Sequence, residues 1–142
     1  MINIYMVNDL YFADTSYLIA LESARDQNHA SASHHWLSFP KTYQSIIITN
    51  YIFDEVVTFF NKRGLHKEAV KLGEILLSSQ SIKIEDIDTR CFYESWDYFK
   101  KHSDKDYSFT DCVSFVIMKR YGIKNSLSFD KHFEQAGFNN YP

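Results

Sequence analysis

Four acidic side chains lie where a chain of alternating strands and helices would bring them together. Asp14 sits in the short, partly apolar run 11–15, just ahead of the helical stretch SYLIALES. Glu55 lies within NYIFDEVVTFFNKRG, one helical turn from Tyr51, Ile52 and Phe59. Asp111 opens the apolar stretch 109–121, and Asp130 follows the run 125–129. Clustered carboxylates repel one another strongly, and proteins accumulate them chiefly where cations neutralise them. Ligation by oxygen alone suits Mg²⁺ or Mn²⁺ rather than zinc. A site of that kind supports metal-assisted hydrolysis of a phosphodiester.

Each acid also has an ordinary explanation. An Asp that follows a strand is a good helix N-cap, which covers Asp14 and Asp130. Glu55 shares the inward stripe of its helix, where a carboxylate needs a compensating partner; that partner is either a metal or a buried Lys or Arg. Asp54 beside it points elsewhere and reads as a solvated charge. Ser108 and Asp111 form Ser-x-x-Asp, a variant of the capping box, although Phe109, Cys112, Val113 and Phe115 crowd that turn. Asp106 lies just outside, as a loop acid or an assistant to the site.

The elements that must position these residues follow from periodicity. A helix is predicted over 29–38, ahead of Pro40. Ile46-Ile47-Ile48-Thr49 is a β-branched run typical of buried parallel strands, and it leads into a helix capped by Thr49 or Asn50 and ended by Gly64. Apolar residues at 65, 69, 72, 76 and 77 predict an amphipathic helix over 65–79, and Ile82, Ile84 and Ile87 a third strand. An aromatic-rich helix spans 89–101; its segment 91–99 could stack on bases, or serve as core or as an interface. SDKDYS (103–108) reads as a loop. The 109–121 helix, apolar nearly all round, should be buried, with Gly122 stopping it. The run 125–129 is predicted to be the last strand, followed by a small helix from Asp130 and an irregular end. This alternation implies an α/β/α sandwich around a parallel sheet. Ligands of such sheets bind at the carboxyl ends of the strands, so Asp14 and Asp130 should project from the same edge.

Composition narrows the function classes. The 142 residues make one domain, 45% hydrophobic, with 15 Lys and Arg against 18 Asp and Glu. A net charge of −3 disfavours a protein that coats nucleic acid through a broad basic face. Cys91 and Cys112 form neither a CxxC pair nor a zinc spacing, and fit a reducing cytoplasm. The segment MINIYMVNDLYF lacks a basic n-region and is interrupted by Asn8 and Asp9, so no signal peptide is expected. No apolar run is long enough for a bilayer. His34-His35 diverge on a helix, and His29, His66, His102 and His132 show no i, i+4 pairing; all six read as surface or packing residues. Lys119, Arg120, Lys124 and Lys131 read as solvated helix ends, with contact to a phosphate backbone as the alternative. An aspartyl-phosphate mechanism at Asp14 would need a second Asp two residues on, where Ser16 stands.

The four acidic segments together resemble a known family. FADTSYLIAL is similar to the opening strand and Asp of PIN domains, and TNYIFDEVVTFF to their second motif, with its Glu ligand. DYSFTDCVSFVIMKRYGI resembles the third, in which a Thr-Asp pair opens a hydrophobic helix, and SLSFDKHFEQAGF the fourth. The resemblance runs from about residue 10 to 138 and is closest to the VapC-like toxin ribonucleases of toxin–antitoxin pairs. It implies a five-stranded parallel sheet, often a homodimer, an antitoxin partner, and Mg²⁺- or Mn²⁺-dependent RNA cleavage. It carries over Asp14, Glu55, Asp111 and Asp130 as the metal-binding, catalytic acids, with Thr15, Asn50 and Ser108 as supporting polar residues. The same fold serves in RNA-processing nucleases that have no antitoxin, and as a non-catalytic binding module.

Overall fold

The computed structural model describes residues 9–142; the N-terminal reading that turned on residues 1–8, Asn8 included, lies outside the described residues. The chain order is β1 (Tyr11–Ala13), α1 (Thr15–Glu22), α2 (His29–Ser38), β2 (Ile46–Thr49), α3 (Asn50–Lys62) and α4 (His66–Ser78). Then come β3 (Ile82–Glu85), α5 (Thr89–Lys101), α6 (Phe109–Arg120), β4 (Asn125–Leu127), α7 (His132–Gln135) and β5 (Asn139–Tyr141). The sheet order is β3-β2-β1-β4-β5, every pairing parallel, and the helices complete a three-layer α/β/α arrangement. Successive crossovers run to one side of β1 as far as β3, and the chain then returns to β4 on the other side. The β1–β4 junction is therefore the topological switch point, where the crevice of an open sheet lies.

The burial pattern explains these elements. Ile46, Ile47 and Ile48 are all buried, as a strand covered on both faces requires. From Asp111 to Met118 every residue of α6 is buried, so its apolar circumference is a core helix. Phe115 sits edge-on to both Phe133 and Tyr107, each at a ring separation of 5.0 Å. Gly122, at φ 66°, ends α6 in the left-handed conformation, and Ile123 N–H donates back to the Met118 carbonyl at 2.8 Å. That turn aims the chain into β4. None of the helices among the described residues is long and apolar enough to cross a membrane.

Three expectations at the C-terminal end need correction. The last strand is not 125–129: β4 stops at Leu127, and the small helix begins at His132 rather than Asp130. The end of the chain is not irregular, because Asn139–Tyr141 pairs with β4 as β5. Its side chains are polar and largely exposed, as an edge strand allows, so it carries no hydrophobic pattern. On α5 the aromatics divide between roles: Tyr98 packs against the core, whereas Phe92, Tyr93, Trp96 and Phe99 are exposed.

Truncation of Phe115 to Ala should cost about 3–5 kcal/mol by leaving a cavity between sheet and helices. Urea denaturation measures this, and a change within about 1 kcal/mol would show that α6 is not the packing centre.

Candidate functional site

Asp14 caps α1 with extended backbone, φ −85° and ψ 159°. Its Oδ2 accepts hydrogen bonds from Ser16 Oγ at 2.8 Å and from Ser128 Oγ at 3.0 Å. The same two hydroxyls accept from the next turn: Phe129 N–H donates to Ser16 Oγ at 3.0 Å and Asp130 N–H to Ser128 Oγ at 2.9 Å. A buried network thus joins the ends of β1 and β4 and fixes Asp14 within it. Asp14 is 5% exposed. Loss of water, then the nearby charges of Asp111 and Asp130, raise its pKa to about 6 against the pull of the two serines.

Glu55 reaches the same place from α3 and accepts a hydrogen bond from Thr15 Oγ1 at 2.7 Å. Burial, followed by the charge of Asp111, raises its pKa, while the Thr15 and Thr110 hydroxyls oppose the shift. No Lys or Arg forms an ion pair with Glu55 among the described residues, so the buried salt-bridge explanation does not hold. Asp54 is exposed and accepts from Thr58, as expected of a solvated charge.

Asp111 does form the capping box. Ser108 Oγ accepts from Asp111 N–H, and Asp111 Oδ2 accepts from Ser108 N–H, both at 3.0 Å. Yet Asp111 is only 7% exposed and faces the other acids, so capping and site membership coexist. Burial raises its pKa most; the Ser108 N–H and His132 lower it, and Asp130 adds to the rise. Asp130 lies three residues beyond β4 and accepts from His132 N–H through Oδ1 at 2.9 Å.

These acids line one cleft of about 340 Å³ together with Thr15, Ser16, Ile19, Asp106, Ser108 and His132. Asp106 is thereby placed at the rim as an exposed acid. Asn50 is not brought to the cleft: its amide oxygen accepts from Ile87 N–H at 3.2 Å and ties the start of α3 to the segment after β3. Arg120 is committed to Asp88 and Glu94, and Lys119 lies over the Tyr98 ring. Lys124 and Lys131 are exposed.

His132 corrects the dismissal of all six histidines. Its Nδ1 lies 3.0 Å from Asp111 Oδ2 and 3.3 Å from Asp130 Oδ1, inside the cluster. A search for histidine pairs one helical turn apart missed it. The available signal was an acid two residues earlier, at the mouth of the strand-end site.

A common pattern links the three aspartates. Protein donors end on one oxygen of each: Oδ2 of Asp14, Oδ2 of Asp111 and Oδ1 of Asp130. No buried side-chain oxygen among the described residues lacks a partner, so the second oxygens of these cleft-lining acids are not sealed from solvent. Asp111, Asp130 and His132 offer ligand atoms within 4.8 Å of one another. The carboxylate oxygens gathered there, only half satisfied by the protein, fit a divalent cation.

The sequence and fold also match known proteins. The family model described as PIN domain matches residues 11–139. The chain is 33% identical over 129 residues to the 23S rRNA-specific endonuclease VapC20 of Mycobacterium tuberculosis, covering 91% of this chain and 95% of that protein. The crystal structure of VapC20, described as a sarcin-ricin loop cleaving toxin, superposes with a TM-score of 0.83 over 90% of this chain and 95% of that one. FitAcB from Neisseria gonorrhoeae, 14% identical, shares the fold with a TM-score of 0.67 over 94% of this chain and 97% of its own.

The raised pKa of Asp14 carries a stability consequence. Its folded value of about 6 lies above the ordinary 3.8, so ionisation opposes folding. The destabilisation is absent below the unfolded pKa, grows as pH rises through the folded value and is complete above it. Metal-free Asp14→Asn should therefore be more stable than the wild-type protein at pH 7.5, by about 1–3 kcal/mol, with the gap closing toward pH 4. Urea titrations with chelator at both pH values test it; an equal or less stable variant at pH 7.5 contradicts it.

Proposed function

The chain belongs to the PIN-domain family, and we propose that it is a divalent-metal-dependent endoribonuclease acting as the toxin of a toxin–antitoxin pair. The observation that carries this reading is the convergence of Asp14, Glu55, Asp111 and Asp130 from four separate segments on one cleft at the sheet's switch point. The likeness to an rRNA-specific endonuclease over nearly the full chain supports RNA as the substrate. Structured ribosomal RNA of the sarcin–ricin type is the first substrate to try, because the M. tuberculosis relative is described as cleaving that loop.

Mg²⁺ or Mn²⁺ would be held by the four acids, and when bound would neutralise them, attract the anionic backbone and supply Lewis acidity at the phosphate. The chain's own contribution is placement. Ser16 and Ser128 orient Asp14, Thr15 orients Glu55, and the Ser108 cap orients Asp111. Metal-assisted hydrolysis of this kind needs no side-chain nucleophile. Water is then the attacking group, and the phosphodiester is hydrolysed rather than transferred to the enzyme.

An antitoxin partner, a homodimer and a cytoplasmic location belong to the same proposal. Exposed apolar surface supports the two protein contacts: Leu37 is 84% exposed and Leu77 66%, and the α5 aromatics stand open to solvent.

Asp14→Asn and Asp111→Asn should each lower Mn²⁺-dependent RNA cleavage by more than the roughly 100-fold that loss of a supporting group costs at a metal site. Both variants keep an amide oxygen for the existing donors and should stay folded. Wild-type cleavage rates in both would overturn the nuclease reading.

A further inference from the structure

We propose that His132 is a positioning residue of this cleft: its Nδ1–H donates to Asp111 and its backbone N–H to Asp130, and together they turn the second oxygens of both acids toward a shared cation. The inference rests on the nuclease reading of the same cleft and assigns a role to a residue outside the acidic quartet.

The geometry fixes the hydrogen. Nδ1 lies 3.0 Å from Asp111 Oδ2 and 3.3 Å from Asp130 Oδ1, and both neighbours are carboxylate oxygens that accept. A carboxylate oxygen can only accept, so in this contact the ring donates from Nδ1 to Asp111 Oδ2, with Asp130 Oδ1 facing the same nitrogen. The two acids arrive from unrelated places, one from the first turn of α6 and the other from the turn after β4. Their like charges would drive the side chains apart unless a donor stands between them.

The ring is itself held in position. His132 opens α7, and the next residue, Phe133, is 0% exposed, packed against Phe12 and Phe115. The imidazole meets the Tyr107 ring edge-on at 5.3 Å and 79°. The His132 backbone N–H donates to the Asp130 oxygen that faces Nδ1, so one residue holds both acids, Asp111 through its ring and Asp130 through its main chain. Asp111 Oδ2 is likewise shared between Nδ1 and the Ser108 N–H. The oxygens that touch His132 are therefore the anchored ones, and the free oxygens lie on the other side of each carboxylate. Nδ1 is therefore committed as a donor to the anchored side of the pair and is not itself a ligand atom.

The test measures Mn²⁺ binding and not cleavage alone. His132→Phe keeps an aromatic ring for Tyr107 but removes the donor, and His132→Leu serves if the Phe variant does not fold. His132→Asn restores an amide N–H near the Nδ1 position. Titration calorimetry should show Mn²⁺ affinity falling about 10- to 100-fold in the Phe or Leu variant and largely recovering in the Asn variant. Cleavage by the donor-less variant should return toward the wild-type kcat at saturating Mn²⁺. The pulsed EPR spectrum of Mn²⁺ on the wild-type protein should lack directly bound nitrogen. Unchanged affinity in the donor-less variant, while Asp111→Asn loses binding, would overturn the role of His132 and leave the metal site standing. A directly coordinated ¹⁴N would overturn it by making His132 a ligand. Failure of the wild-type protein to bind Mn²⁺ at all would overturn the metal-dependent reading, and this inference with it.

Discussion

A carboxylate stripped of nearly all its water has to be met by donors or by positive charge, because bare burial disfavours its ionised form by several kcal/mol. Asp14 is in that position, 5% exposed with Asp111 and Asp130 close enough to raise its pKa further. The surrounding structure is arranged to tolerate it. Ser16 and Ser128 supply hydroxyl donors, and each hydroxyl in turn receives an N–H from the turn after β4. The network that solvates Asp14 is thus also the one that joins two strands whose connection in sequence runs through most of the protein.

Topology supplies the rest. Reversal of strand order at β1 opens the crevice between the ends of β1 and β4, and it directs the N-termini of α1 and α6 to that side. Asp14 caps the first helix and Asp111 stands in the opening turn of the second, where backbone N–H groups and the helix dipole favour negative charge. These fields soften the cost without abolishing it: burial first, and the neighbouring acids after it, still raise the pKa values of Asp14, Glu55 and Asp111.

Much of this was legible in the residues. The β-branched run at 46–49, the apolar 109–121 segment and the placement of acids near strand ends led to a parallel sheet with one acidic edge. What sequence reasoning set up as rivals proved compatible: Ser108-x-x-Asp111 is a true capping box, and the cap is what orients an acid of the cleft. The misses have physical causes. Asn50 stands beside the helix cap, but its amide finds Ile87 N–H, a partner 37 residues away that no local pattern reveals. β5 is an exposed edge strand of polar residues, and burial patterning says nothing about such a strand. His132 joins an acid two residues earlier to one 21 residues earlier, a relation created only when α6 and the end of β4 meet.

The incomplete satisfaction of the acids explains why the chain needs no broad basic surface to meet a polyanion. If both oxygens of each aspartate were tied by protein donors, the site would be rigid and stable but closed to a cation. If neither were tied, mutual repulsion would disperse the side chains. With one oxygen held and one open, the hydrogen bonds fix position while the charge stays uncompensated. A divalent cation then supplies, at one point, the positive potential that a nucleic-acid-binding face would otherwise spread over many lysines and arginines. On the proposed reading, a protein of net charge −3 can in this way draw a phosphate backbone to an acidic cleft, provided the cation is there first. Asp14, whose ionisation opposes the metal-free fold, is on that reading also one of the acids that a cation would neutralise.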